Sequence, residues 1–138
     1  MPKARRLAAL LDGPVDWLVV TPNEDELAAL TGRSREEYAA AVADLHAAGV
    51  RHVWLRRGPA GSTLTMAGAA PVDLASLPAE VVDVTGAGDA MLAAFLAALL
   101  RGADPAEAAR HAHRAARATI ESPHTVRPDI AAALEEHR

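Results

Sequence analysis

The chain has 138 residues, of which 51% are apolar and 23% charged, and its formal net charge is −4. That length and composition suit one globular domain and exclude a two-domain enzyme or wholesale disorder. The absence of cysteine excludes disulfides, cysteine zinc sites and thiol nucleophiles, and the acidic balance argues against a general polyanion-binding surface while allowing one local phosphate pocket.

Lys3 to Leu11 reads as a helix, broken by Asp12-Gly13-Pro14. Asp16 to Thr21 is short, apolar and flanked by turns, as a buried strand is. Pro22-Asn23 ends it and starts a helix over Glu24 to Leu30, with acids in the first turn and Gly32 as its stop. Ser34 and Glu37 form a capping-box pattern for a helix to about Ala48, closed by Gly49. His52 to Arg56 is a second buried strand, and Gly58-Pro59-Ala60-Gly61 a turn. Ser62 to Met66 is expected to hairpin through Ala67-Gly68 onto Pro71-Val72-Asp73, and Val81 to Val84 to form a further short extended segment.

From Gly88 to about Arg101 the pattern is apolar all round, which predicts a helix inside a core. Its strictly apolar run, Ala90 to Leu100, is too short to span a bilayer. Gly102 ends it, Asp104-Pro105 starts another helix reaching Thr119, and Ser122-Pro123 breaks that. Arg127 to His137 reads as a short terminal helix. The alternation is that of an α/β fold whose first two strands lie parallel. Arg110, His111, His113, Arg114 and Arg117 recur at helical spacing and read as a solvated face rather than a nucleic-acid patch. Four aromatic residues are too few for a base-stacking platform. The basic N-terminus leads into no signal-peptide core, so a cytoplasmic protein is expected, with no membrane partner.

The chemistry concentrates in Val82-Asp83-Val84-Thr85-Gly86-Ala87-Gly88-Asp89. Extended residues run into two glycines and then into an apolar helix. Glycines let a backbone approach a ligand closely, and the first N–H groups of a helix point outward with a favourable dipole, which together make an anion site. Asp89 sits in that first turn, where the helix end stabilises an acid as the anion. A carboxylate beside a phosphate-binding turn can orient a hydroxyl and take its proton during phosphoryl transfer. Taken alone, Asp89 reads as an ordinary helix-start acid; the glycines with Asp83 and Thr85 tip the balance. A dinucleotide fingerprint competes weakly, because Met91 stands where its third glycine belongs. On that reading the chain binds a nicotinamide dinucleotide and does not depend on Asp89.

The segment from Val82 to Asp89, followed by an apolar helix, resembles the second signature of the ribokinase-like (PfkB) carbohydrate and nucleoside kinases. Asn23 and Glu26 resemble that family's N-x-x-E motif, and Gly58 to Gly61 its nucleotide turn. The resemblance implies a partial three-layer α/β/α ribokinase-like fold, the C-terminal half only, with residues 1–138 as the nucleotide-binding portion and no counterpart of the lid or N-terminal strands. It implies an ATP-dependent phosphotransferase acting on a hydroxymethyl group. Asp89 would be the base, and Gly86, Ala87 and Gly88 the anion hole. Asn23 and Glu26 would organise Mg²⁺ and the phosphates through water, while Gly58 and Gly61 line the nucleotide. Asp83 and Thr85 match positions that often hold a monovalent cation such as K⁺. The tail from Glu121 to Asp129 is similar to that of pseudouridine kinases, which fits a nucleoside; the resemblance as a whole implies a sugar or nucleoside substrate, pseudouridine or ribose-like.

Arg56-Arg57 departs from the Thr-Leu usual before the glycine turn; the pair could meet phosphates or face solvent. The alternative to an active kinase is a nucleotide-binding remnant without turnover, which needs a missing N-terminal segment or a second copy as partner.

Overall fold

The computed structural model describes residues 2–11, 13, 16–124, 128–130 and 132, with only the backbone of 2–5. Its helices are α1 (Pro2–Leu11), α2 (Glu24–Thr31), α3 (Tyr38–Ala47), α4 (Ala87–Leu100) and α5 (Pro105–Ile120). Its strands are β1 (Val19–Val20), β2 (His52–Arg56), β3 (Ser62–Met66) and β4 (Val72–Leu74). Two compact units divide the chain: Met1–Ala75 carries the sheet, and Ser76–Arg138 carries α4 and α5.

In the first unit the strand order is β1-β2-β3-β4. β1 and β2 are parallel, joined by the α2–α3 crossover, with Val19 opposite His52 and Val20 opposite Val53. β3 and β4 follow as antiparallel neighbours, with Trp54 opposite Leu64 and Thr63 opposite Asp73. The expected strand over Asp16 to Thr21 shrinks to two residues; Pro22, with no N–H, interrupts the ladder at its C-terminal end. Strand alignment persists around it: Arg51 and His52 donate to the carbonyls of Trp17 and Leu18, and Arg56 donates to that of Pro22 at 2.9 Å.

Side chains alternate across β2. Val53 and Leu55 face α2 and α3, joining Leu27, Ala41, Val42, Leu45 and Val50 in a buried cluster with Trp17 and Val20 at its border. Trp54 points to the other face, fully buried, and its indole N–H donates to Ser62 Oγ at 2.8 Å. His46 near the end of α3 donates Nδ1–H to the Val50 carbonyl at 2.8 Å. A carbonyl only accepts, so this bond requires a proton on Nδ1. Nε2 meets Thr65 Oγ1 at 3.0 Å, which ties the helix end to β3.

Helix ends follow their local signals. Asn23 caps α2, three acids follow in its first turn, and Gly32 closes it at φ 74°. The Ser34–Glu37 capping box forms, but the first turn after it, Arg35–Glu37, is 3-10 and α3 starts at Tyr38. Arg33 pairs with Asp44 and Glu37, and Arg35 with Glu24 and Asp25, binding this corner together at the surface.

In the second unit α4 and α5 pack on each other. α5 begins at Asp104, whose Oδ1 accepts from Ala106 N–H at 2.9 Å, with Pro105 in the first helical position. It buries Ala108, Ala109, Ala112, Ala115 and Ala118, small residues that allow a close helix approach. α4 departs from expectation: only Met91, Phe95 and Ala98 are buried, and Leu100 is 88% exposed. Within this unit α5 covers one stripe of α4, and most of the other α4 positions are half-buried. Val81 to Val84 is also not a strand. The amides of Val82 and Asp83 both donate to one acceptor, the Ile120 carbonyl at the end of α5, and among the described residues no strand pairs with the segment. Among the described residues no helix is long and apolar enough to cross a membrane. The helix expected over Arg127 to His137 falls largely outside the described residues.

Candidate functional site

The site residues of the first unit sit beyond the C-terminal ends of the two parallel strands. That is where open α/β sheets place ligands. Asn23 follows β1 and opens α2. Its Oδ1 accepts from Glu26 N–H at 2.8 Å, and its own N–H donates to Glu26 Oε2 at 2.9 Å. The two motif residues therefore form a reciprocal capping box, which is the ordinary structural reason for an Asn and a Glu at this spacing. A third group, invisible as a partner in the sequence, joins them. Arg56, the last residue of β2, pairs in parallel register with Asn23. Its Nη2 donates to the same Glu26 Oε2 at 3.2 Å and its Nε to the Thr21 carbonyl at 2.8 Å. Glu26 Oε1 has no hydrogen-bond partner among the described residues, and the side chain is 38% exposed. Glu26 also lines a cavity of about 290 Å³ whose other walls are mostly apolar, among them Leu7, Trp17, Val20 and Leu30.

Gly58 to Gly61 forms a tight 3-10 turn between β2 and β3. The Arg57 amide donates to the Gly61 carbonyl at 2.8 Å, and Gly61 N–H to the Gly58 carbonyl at 3.0 Å. Gly58 at φ 53° and Gly61 at φ 87° both occupy backbone conformations that side chains resist. Neither arginine faces open solvent unpaired. Arg56 holds Glu26, and Arg57 donates to Thr63 Oγ1 at 2.9 Å and contacts Asp73 at 3.5 Å.

The second unit holds the remaining residues. Asp83 Oδ1 accepts the Thr85 N–H at 2.8 Å. Hydrogen bonds from the Thr85 backbone and then its side chain hold the Asp83 carboxyl below its ordinary value. Gly86 follows at φ 81° as the cap of α4, and no side-chain hydrogen bond closes that helix end. Ala87 N–H turns back to the Val84 carbonyl at 3.3 Å, and the first regular helical bond runs from Ala90 N–H to Gly86 at 2.9 Å. The amides of Gly86 and Gly88 find no protein acceptor among the described residues. Of the three expected anion-hole amides, two are thus unengaged and one is weakly committed. Asp89 lies in the first turn of α4 and is exposed. The arrangement offers free donors and the positive end of a helix dipole beside an accessible carboxylate.

Among the described residues no three His, Asp or Glu side chains form a ready-made metal cage. Mg²⁺ does not need one, since it keeps its waters and takes one or two carboxylates plus substrate phosphates. Glu26, with one free oxygen at the surface, fits that donor set.

The profile described as pfkB family carbohydrate kinase matches residues 4–131. Ribokinase from Arabidopsis thaliana is 39% identical over 107 residues, covering 75% of this chain and 28% of that protein. Its solved structure with ribose and ATP superposes with a TM-score of 0.79 at 36% identity, covering 93% of this chain and 42% of that one. A 1-phosphofructokinase from Haloferax volcanii is 43% identical over 101 residues, covering 69% of this chain and 32% of that protein. A solved ribokinase II from E. coli with ATP and Mg²⁺ matches with a TM-score of 0.80 at 27% identity, over 99% of this chain and 44% of that one. The chain spans less than half the length of each of these relatives.

Proposed function

Because the chain belongs to the pfkB family of carbohydrate kinases, we propose that residues 1–138 are the C-terminal, nucleotide-binding portion of such a kinase. The reaction is transfer of the ATP γ-phosphoryl group to a hydroxymethyl group of a sugar or nucleoside, in the cytoplasm. The observation that carries this reading is the α4 N-terminus: a left-handed Gly86, free amides and an exposed Asp89 in one turn.

Asp89 takes the hydroxyl proton as the substrate oxygen bonds to the γ-phosphorus, and the bond from that phosphorus to ADP breaks. ADP carries off the bonding electron pair, and the proton passes from Asp89 to solvent. The amides of Gly86, Ala87 and Gly88 stabilise the charge on the transferring group's oxygens, with Ala87 giving up its long bond to Val84. Asn23 and Glu26 would be the residues that hold Mg²⁺ through bound water, with Glu26 Oε1 as the free oxygen. When bound, the ion supplies charge neutralisation at the phosphates. Gly58 and Gly61 let the nucleotide approach the β2–β3 turn closely. Asp83 and Thr85 would be the residues to hold a monovalent cation such as K⁺, which would supply further positive charge there. For the acceptor, ribose-like sugars and pseudouridine are the first choices. The pseudouridine choice rests on the tail from Glu121 to Asp129, of which 125–127 lie outside the described residues.

A second reading, nucleotide binding without turnover until another segment or copy completes the site, is favoured by the coverage of only 42% of the solved ribokinase. An ADP-release assay with ribose, fructose and pseudouridine tests the first reading. Turnover that Asp89→Asn abolishes supports it, and turnover unaffected by Asp89→Asn removes Asp89 as base.

A further inference from the structure

We propose that Arg56 is a positioning residue that turns Glu26 into a single-oxygen ligand. The inference rests on the assignment of Glu26 to Mg²⁺ above and goes beyond it.

An ordinary capping box gives its glutamate one donor, the N-cap N–H. Here Oε2 receives two, Asn23 N–H at 2.9 Å and Arg56 Nη2 at 3.2 Å. Arg56 is itself fixed from two sides. Its Nε is held by the Thr21 carbonyl at 2.8 Å, and its backbone N–H by the Pro22 carbonyl at 2.9 Å. The guanidinium fork therefore spans from the end of β1 to the first turn of α2, and its planar geometry sets the carboxylate's orientation. With Oε2 occupied, only Oε1 is left to face a hydrated cation. The pair is more than a third exposed on both sides, so it adds little to stability. Its consequence is directional. Partners of a metal-bound carboxylate commonly act this way, fixing the ligand's pose without touching the ion.

Position and charge make opposite predictions. Removing a cation beside Glu26 leaves more negative charge for Mg²⁺, so a purely electrostatic role predicts tighter metal-dependent binding in Arg56→Gln. A positioning role predicts weaker binding in Arg56→Gln and also in Arg56→Lys, because an ammonium keeps the charge but cannot bridge Thr21 and Glu26 together.

The test is calorimetric titration of the 138-residue chain with ATP, with and without Mg²⁺, for the parent, Arg56→Lys, Arg56→Gln and Glu26→Gln. The expected result is a Mg²⁺ midpoint raised roughly tenfold in Arg56→Gln and less in Arg56→Lys, with metal-free ATP affinity unchanged. The double variant Arg56→Gln/Glu26→Gln should be no weaker than Glu26→Gln alone. Helical circular dichroism equal to the parent's separates loss of position from loss of fold. If Arg56→Gln tightens the Mg²⁺ dependence or leaves it unmoved while the parent shows it, this inference falls and the kinase reading stands. If the parent binds ATP without regard to Mg²⁺, or not at all, both fall together.

Discussion

Asp83 holds the Thr85 amide through Oδ1 at 2.8 Å, and Thr85 directly precedes the left-handed Gly86 that opens α4. The approach to the proposed anion site is thus shaped by a side chain three residues before the cap. Asp83 is depressed by that bond, so its contribution is complete above the ordinary aspartate value of about 3.9 and is lost as pH falls through the lower folded value. Amide exchange at Thr85 should be slow and flat from pH 7 down to about 4 after correction for intrinsic rates, and should accelerate below. Asp83→Ala should show fast exchange throughout. Equal protection in both proteins would deny the bond its role.

Gly86 occupies φ 81°, where a Cβ costs about 1–2 kcal/mol. Gly86→Ala should lower unfolding stability by that amount and weaken ATP binding, since relief of the strain shifts the α4 amides. Denaturant unfolding and ATP titration measure the two effects. Retention of both would mean that this backbone turn is not the phosphate site.

Leu45 is 1% exposed in the cluster under β2, whereas Leu100 ends α4 in water. Leu45→Ala should cost about 2–5 kcal/mol, because it removes transfer energy and leaves a cavity. Leu100→Ala should stay within about 0.5 kcal/mol. Urea midpoints at constant slope provide the comparison. A large loss at Leu100 would show that α4 buries that side chain in solution.

Acid should loosen the corner joining α2 to α3. Arg33 pulls Asp44 below its ordinary value, and the Ser34 backbone does the same to Glu37. Both are depressed carboxylates, so their contribution is present at neutral pH and fades as pH drops below about 4. Because the groups are at the surface, Arg33→Ala should move the acid midpoint only slightly, and less at high salt. A shift independent of salt would contradict the surface ion-pair account.

Much of the fold was legible because its signals are local. Pro22-Asn23 and Glu26 mark the start of α2, Gly32 and Gly49 mark helix ends, and Ala67-Gly68 marks the hairpin; each acts within a few residues. Val81 to Val84 misled because β-branched residues report only a preference, and a strand needs a partner, which this segment does not have among the described residues. The all-round apolar face of α4 misled because burial depends on what is packed nearby. Among the proposed site residues, Asn23 and Glu26 were legible through the resemblance of their spacing to the family's N-x-x-E motif; by themselves they read as a helix start. Arg56 was visible as a departure before the glycine turn, but its pairing with Glu26 was not, because residues 30 apart in sequence meet only through the parallel register of β1 and β2.

The most direct test is calorimetric titration of the purified chain with Mg·ATP, with ADP formation followed against ribose, fructose and pseudouridine in the same samples. The account predicts saturable binding of one nucleotide per chain, weakened on removal of Mg²⁺ and largely retained by Asp89→Asn. Where ADP forms, Asp89→Asn should reduce it by about 100-fold or more. Absence of Mg·ATP binding in a folded chain would contradict the account.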